Sequence, residues 1–242
     1  MTNRVFRNSR QFMINLPNHI AIIPDGNRRW AKKNKISSFL GHKKGSENFN
    51  GILKATLDFK VYCLSIWACS RDNIQKRSKK EVDFLFKLLE INFNKLSQSE
   101  FIHQNKVRVE AFGRWESLFP TKLKKSVINL ANITKDYKKY RLNFLLAYNG
   151  TDEMIEAVKK ISSLKEDINE ETIKNSLWTK NLPPVDLVIR TGGEPHWSNG
   201  FMMWLTANSH FYFTSVLWPE FGEKEYIKAV EDYSKRQNKR GA

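Results

Sequence analysis

Cysteine is nearly absent from this chain: Cys63 and Cys69 are the only two, and both lie in one apolar run. Neither has the spacing of a metal-binding pair with a second pair, so both read as buried free thiols of a reducing compartment. Long hydrophobic runs are missing too. No stretch of about 18 apolar residues occurs, so the sequence predicts no membrane-spanning helix. Residues 1–15 are basic but have no apolar core leading to a small-residue cleavage site. They read as a basic flexible segment, not a secretion signal. No Pro/Gly/Ser-rich linker, internal repeat or low-complexity block interrupts the rest, and residues 16–242 read as a single domain. Neither Gly-x-x-x-x-Gly-Lys-Ser/Thr nor Gly-x-Gly-x-x-Gly is found, which argues against a nucleotide-dependent transferase. Acid is scarce beside base: 25 Asp and Glu against 41 Lys and Arg give a net charge of +16. That balance favours anionic partners such as phosphorylated small molecules, nucleic acid or an anionic membrane, although much of the lysine excess is solvated surface.

What the chain does contain is an alternation of strand-like and helix-like stretches. His19–Ile23, Val61–Cys69, Val107–Phe112, Arg141–Ala147 and Val185–Arg190 read as strands, with a last short one at Phe211–Phe213. The second is apolar enough to be buried on both faces, as in a parallel sheet. Helical periodicity covers about Gly41–Phe59, Lys80–Leu96, Thr121–Tyr137, Asp152–Ser162, Glu170–Trp178 and a charged stretch from Glu223. The Lys80–Leu96 stretch is apolar on more than one side, because Phe84, Leu88 and Ile91 widen its stripe; such a helix is either deeply buried or lines an apolar cavity. The pattern predicts an α/β fold, with a central and mostly parallel sheet flanked by helices.

In such sheets ligands gather at the carboxyl ends of strands. Here those ends are Asp25, Ser70, Asn149 and Arg190-Thr-Gly-Gly-Glu194. The run His19–Trp30 stops at Pro24 and opens into Asp25-Gly26-Asn27, followed by Arg28 and Arg29. An acid, a glycine turn, free backbone amides and fixed cations make a seat for a metal-bound phosphate. A plain strand-to-helix turn capped by Asn27 is the alternative. Asp25 suits Mg2+, a hard cation that prefers oxygen and keeps waters beside substrate phosphates. Arg28, Arg29 and Arg190 suit bidentate contact with phosphate oxygens, and Gly192 and Gly193 permit close backbone approach beside Arg190 and Ser198. His42, in Gly41-His42-Lys43-Lys44-Gly45, falls at a predicted helix start. Two cation and glycine clusters suggest two phosphate-bearing substrates, or one long one.

The motifs, in order, are Asp25-Gly26-Asn27-Arg28-Arg29-Trp30-Ala31, Gly41-His42-x-x-Gly45, Ser70 with Asn73, Asp186-Leu-Val-Ile-Arg-Thr-Gly-Gly-Glu194, Ser198-Asn199 and Tyr212-Phe-Thr-x-x-Leu-Trp-Pro-x-Phe221. Together they resemble the cis-prenyltransferase family, typified by undecaprenyl diphosphate synthase, and they span nearly the whole chain. The resemblance implies a homodimer whose α/β domain encloses an apolar tunnel, walled by the helices near 41–59 and 80–96. It implies condensation of isopentenyl diphosphate with an allylic diphosphate to form a new Z double bond, with Mg2+ as cofactor. On that likeness Asp25 handles the metal, Gly26, Asn27, Arg28 and Arg29 surround the allylic diphosphate, and Trp30, Lys76 and Arg77 are further substrate-binding residues. Arg190, Glu194, His196 and Ser198 belong to the isopentenyl side. His42, Ser70 and Asn73 stand near the reacting centre. The likeness places the enzyme in the cytoplasm, with peripheral membrane contact through its apolar product.

Four positions depart from the family pattern. An arginine expected before Gly41-His42 falls at Ser38, an aromatic falls at Ile74, and a second isopentenyl-site arginine falls at His196, with Gly200 as a one-residue insertion. The acid expected before Tyr212-Phe-Thr, a metal ligand in the family, falls at His210, and imidazole suits Mg2+ poorly. Lys239-Arg240-Gly241 only partly matches a tail that reaches across the family's dimer. These departures leave room for a short-chain or irregular synthase that couples allylic diphosphates. A nucleic-acid-binding protein would need a basic stripe with interleaved exposed aromatics. The cations are instead spread over every helix, and no nucleic-acid partner is expected.

Overall fold

The computed structural model describes residues 15–164 and 167–236. The basic segment 1–15, apart from Asn15, and the Lys239-Arg240-Gly241 tail lie outside the described residues.

The chain opens with β1 (His19–Ile23), α1 (Asn27–Lys33), α2 (Ser38–Asp58), β2 (Cys63–Cys69), α3 (Arg71–Lys76), α4 (Lys79–Ser97) and α5 (Glu100–Gln104). It continues with β3 (Val107–Phe112), α6 (Trp115–Leu118), α7 (Thr121–Thr134), β4 (Tyr140–Leu146), α8 (Gly150–Leu164) and α9 (Glu170–Ser176). Last come β5 (Leu187–Arg190), β6 (His210–Phe213), a 3-10 turn (Trp218–Glu220) and α10 (Glu223–Lys235). The six strands form one sheet in the order β3-β4-β2-β1-β5-β6, and every neighbouring pair is parallel.

All five residues of β1 are buried, because helices cover both faces of the sheet. Alternate side chains feed two cores. Ile20 and Ile22 join Leu64, Ile66, Ile52 and Phe93 on one face, while Ala21 and Ile23 join Trp67, Leu145, Val188 and Phe201 on the other. Each fully buried large aliphatic contributes about 1.5–3 kcal/mol. β2 lies on one side of β1 and β5 on the other. The carboxyl end of β1 is therefore where the chain order reverses, the place at which open α/β sheets form a crevice.

Two local readings change. The second long helix starts at Ser38, not Gly41, after an extended Ser37, so Gly41 and Gly45 lie inside it. A Cβ on Gly41 would come within 2.3 Å of the Asn27 carbonyl oxygen, and one on Gly45 within 2.2 Å of Asn27 Oδ1 and 2.6 Å of the Trp218 ring. The pair lets α1 and the Trp218 turn press onto α2. α3 was not legible as a helix: Ser70 caps it by accepting from the Asn73 amide at 3.0 Å, which satisfies one orphan donor of a six-residue element.

At the amino ends of the strands lies a buried polar knot. His19, fully buried, places Nδ1 2.8 Å from the Pro183 carbonyl and Nε2 2.8 Å from Ser65 Oγ. A carbonyl only accepts, so the Nδ1 hydrogen donates to it and Nε2 accepts from the Ser65 hydroxyl. Asn143 Nδ2 donates to the same hydroxyl oxygen at 3.1 Å. Burial drives the His19 pKa down to about 4.

Two outcomes follow for stability. Gly41→Ala gains up to about 1 kcal/mol of helix propensity, but the clash with a backbone oxygen outweighs it; a net loss of about 1–3 kcal/mol is expected in urea unfolding, with an unchanged slope. Second, unfolded His19 takes a proton near pH 6.5 while the folded form resists until about pH 4. Stability should therefore be intact above pH 6.5 and fall as pH drops towards 4, by about 3 kcal/mol from this residue. His42, also held low, adds in the same direction. Urea midpoints between pH 7 and pH 4 measure this.

Candidate active site

The first cluster sits beyond the carboxyl end of β1. Gly26, not Asn27, is the N-cap of α1. Its φ of 114° is open to glycine, and a Cβ there would lie 2.9 Å from Leu217. Asp25 is clamped by its backbone: its amide donates to Thr191 Oγ1 at 2.9 Å, and its carbonyl accepts from the Thr191 hydroxyl at 2.7 Å and the Trp218 amide at 3.0 Å. Its carboxylate Oδ2 meets two guanidinium groups, Arg29 at 3.1 Å and Arg190 at 3.2 Å.

The register Ile23↔Arg190 brings the end of β5 beside Asp25. Arg190 is buried, its Nη1 donates to the His196 carbonyl at 2.9 Å, and its Nε has no hydrogen-bond partner. Arg29 Nη1 donates to the Gly192 carbonyl at 2.5 Å and lies 3.9 Å from Glu194 Oε1. Gly192, at φ 92°, permits this approach, since a Cβ there would sit 2.5 Å from Arg29 Nη2. The amides of Gly192 and Gly193 donate to the Val216 and Thr214 carbonyls. These glycines therefore shape the arginine's berth and do not offer free amides.

The second cluster lies across the crevice, on α2, α4 and the end of α3. His42 Nε2 is 3.2 Å from Glu81 Oε1 and 3.3 Å from Arg77 Nη1, and Arg77 Nη1 also donates to Glu81 at 3.1 Å. Burial, then the Arg77 charge, holds His42 below the ordinary imidazole value, while Glu81 pulls the other way. Burial likewise lowers Arg77. The charge of Arg28 is felt at both His42 and Arg77, and that of Asp25 at Arg77, so the two clusters share one field.

The second cluster borders a cavity of about 580 Å³ between α2, α4 and the sheet, which Pro24 and Asn27, on either side of Asp25-Gly26, also line. Asn27, His42, Asn73 and Arg77 line its polar end, while Phe49, Leu53, Leu85, Leu89, Phe93 and Phe144 line its apolar interior. Asn27 Oδ1 is buried there with no hydrogen-bond partner, an acceptor left for a ligand donor. Of the residues that widen the apolar stripe of the 80–96 helix, Leu88 lines this cavity, whereas Phe84 packs on Phe39 and Ile91 is exposed.

The remaining expected residues are distributed as follows. Ser70 is buried beneath as the α3 cap. Trp30 is outside the cavity lining and donates to Glu220 at 3.1 Å. Of the basic pair, Arg77 faces the cavity and Lys76 points to solvent, pairing with Asp72. His196 holds Arg190 through its backbone, with an exposed side chain, and Ser198 begins the turn that leads to Phe201. His210 does not join Asp25 within this chain. It starts β6 opposite Leu187, at the amino end of the sheet, three residues or roughly 10 Å below the level of Arg190. There its ring packs edge-on against Tyr233, with centroids 5.5 Å apart.

Three residues were not singled out from sequence. Glu81 could have been found as the acid four residues after Arg77, and Thr191 as the residue that follows Arg190. Tyr148 leaves no local signal. Its buried hydroxyl donates to Glu153 at 2.6 Å and accepts from the Met202 amide at 3.1 Å, and Glu153 also accepts from the Thr179 amide and hydroxyl at 2.8 Å. This braces the segment after Ser198.

The donor set suits a hard cation. Oδ1 of Asp25 receives no hydrogen bond among the described residues, and the side chain is 37 % exposed towards the crevice. No group of three or more His, Cys, Asp or Glu side chains is arranged to hold a metal among those residues. One carboxylate oxygen beside substrate phosphates is a common Mg2+ arrangement, whereas an all-protein cage would need more ligands.

Comparisons with known proteins agree with this geometry. The family description of undecaprenyl diphosphate synthases matches residues 23–241. A tritrans,polycis-undecaprenyl-diphosphate synthase (geranylgeranyl-diphosphate specific) from Thermococcus kodakarensis is 38% identical over 94% of this chain and 88% of its own length. The enzyme of the same name from Methanocaldococcus jannaschii is 39% identical over 94% and 83%. Among solved structures, lavandulyl diphosphate synthase from Lavandula x intermedia, in complex with dimethylallyl diphosphate, superposes with a TM-score of 0.87 at 33% identity, covering 92% of this chain and 97% of that one. With the motifs, the fold and the crevice in agreement, this chain belongs to the undecaprenyl diphosphate synthase family of cis-prenyltransferases, and it is a prenyl-transferring enzyme.

Proposed function

We propose that this enzyme lengthens a geranylgeranyl diphosphate primer with isopentenyl diphosphate, forming Z double bonds, and that Asp25 binds Mg2+ for the reaction. The observation that carries this reading is a cavity with Asn27, His42, Asn73 and Arg77 at one end and an apolar interior at the other, whose Arg77 feels the charge of Asp25, the partner of Arg190. Anion-binding cations at one end and an apolar bore at the other match a diphosphate joined to a hydrocarbon chain. The relatives' primer, printed in their names, supports the choice of geranylgeranyl diphosphate.

In the reaction the allylic C–O bond breaks and diphosphate leaves with the electron pair. The isopentenyl π bond attacks the allylic carbon, and a proton is lost from the adjacent carbon to form the new double bond. Negative charge grows on the leaving diphosphate, so fixed cations and donors aimed there stabilise the transition state. Arg77, Arg28 and Arg29 would take that role, with Gly26 giving the chain its turn. Mg2+, when bound, would add a further positive charge at those oxygens. Arg190, held in place by Asp25 and the His196 carbonyl, would hold isopentenyl diphosphate with Ser198. Neutral His42, flanked by Glu81 and Arg77, would orient the allylic group, the Asn73 amide would donate to the diphosphate, and Asn27 Oδ1 would accept from a water beside it. Phe49, Leu53 and Phe93 would receive the growing chain.

A second reading is favoured by one observation. The structural likeness to a lavandulyl diphosphate synthase holding dimethylallyl diphosphate goes with departures at Ser38 and His210. On that reading the enzyme is a short-chain or irregular synthase that couples two allylic diphosphates. We also propose a homodimer, supported by Ile155 and Val158, which stand 51% and 60% exposed on one face of α8.

Labelled isopentenyl diphosphate with dimethylallyl, geranyl, farnesyl or geranylgeranyl diphosphate separates the readings when products are sized by mass spectrometry. Longest products from geranylgeranyl diphosphate are expected. Product from dimethylallyl diphosphate alone would select the second reading, and no product from any primer would refute both. Asp25→Ala should lower turnover by about 10²–10³-fold or more with an unchanged circular dichroism spectrum. Ile155→Asp with Val158→Asp should halve the mass seen by sedimentation; an unchanged mass would remove α8 from the interface.

A further inference from the structure

We propose that the face formed by the α1–α2 junction and the outer side of α4 seats on an anionic lipid membrane, next to the cavity, so that the prenyl chain passes into the bilayer without crossing water. The inference rests on the prenyl-transfer reading for its purpose, but on separate observations for its place. Ile36 and Leu40 are 37% and 48% exposed at the junction, and Ile91 is 40% exposed on α4. Phe39 and Phe84 join the two elements, with ring centroids 4.8 Å apart. Leu88, one turn beyond Phe84, is half-buried and lines the cavity. The apolar surface is thus continuous with the cavity wall.

The charge around it is mainly positive, with Asp83 and Glu90 as acids of α4 beside it. Between Lys32 and Lys44 there are five lysines and no acid. Lys33 and Lys44 have ion-pair partners, Glu220 and Glu47, each at 3.7 Å, and Lys32, Lys35 and Lys43 have none among the described residues. On α4, Lys80, Lys87 and Lys95 share the face of Phe84, Leu88 and Ile91 by helical spacing, and only Lys87 is paired, with Glu90 at 3.0 Å. Exposed aliphatics ringed by unpaired lysines fit a surface that is itself apolar below and anionic above. No helix among the described residues is long and apolar enough to cross a membrane, so the contact would be interfacial.

Sedimentation with phosphatidylcholine vesicles, with and without phosphatidylglycerol, tests this on the full chain. The expected result is salt-sensitive binding to the anionic vesicles only, weakened about tenfold or more by Ile36→Ser with Leu40→Ser and by Lys32→Gln with Lys35→Gln. These variants should still turn over a water-soluble primer in lipid-free buffer, which shows that they are folded. With vesicles present, labelled product should move to the lipid in the wild type and stay with the protein in the variants. Absence of binding by the wild type, equal binding by the variants, or an equal loss in an Ile128→Ser, Lys124→Gln control on α7 would each overturn the proposal. Vesicle binding without prenyl transfer would instead overturn the function and leave the surface standing.

Discussion

A buried guanidinium is costly to keep in a protein, and the site is arranged around the cost of keeping Arg190. Removing its charge from water demands a carboxylate and further acceptors in good geometry. Asp25 and the His196 carbonyl supply them. Each depends on something larger. Asp25 reaches Arg190 because β1 and β5 pair in the register Ile23↔Arg190. It stays there because Thr191, the next residue on the same strand, holds both its amide and its carbonyl. Sheet register and active-site geometry are therefore one constraint: a one-residue slip would turn Arg190 to the other face and unmake the pair.

The opposite wall follows a different logic. α2 carries His42 on the side facing the crevice and is pressed against α1 and Trp218 through Gly41 and Gly45. Two missing side chains thus set the width of the polar end. Beyond it the wall becomes aromatic and aliphatic, as Phe49 and Phe93 meet Phe144 of the sheet at centroid distances of 5.7 and 4.9 Å. The change from charged to apolar occurs within two turns of α2, between His42 and Phe49. A diphosphate would be held where Arg77 is kept charged by Glu81, and a hydrocarbon along Phe49, Leu53 and Phe93, in a cavity whose lining also carries Asn50, Lys54 and Asn92.

Much of this was legible in sequence, for physical reasons. The inner strands β1, β2 and β5 are nearly continuous apolar runs because both sheet faces are covered, and such runs are hard to mistake. Asp25, His42, Arg77 and Arg190 lie at strand ends or in ordered motifs, and the fold brings them around one crevice. What escaped was set by contacts distant in sequence. Nothing local says that Gly41 and Gly45 serve a helix crossing, that Lys76 turns outward while Arg77 turns inward, or that Tyr148 braces a segment more than fifty residues away. The alternative of a cap at Asn27 fails although Asn is a good capping residue by type, because the cap position has a left-handed backbone that suits Gly26.

His210 shows most clearly what spacing alone conceals. Its place in a motif made it a metal-ligand candidate, and imidazole already argued against Mg2+. The parallel sheet adds a geometric reason. All carboxyl ends lie on one edge, so a residue that begins β6 belongs to the opposite edge from Asp25, however close the two stand in a motif list. Here it packs on Tyr233 of the last helix. On the proposed reading, Asp25 would be the acid offered to a hard cation, and the remaining ligands would come from substrate and water. Metal affinity would then be coupled to diphosphate binding, as expected for an ion that rarely sits in a cage made by protein alone.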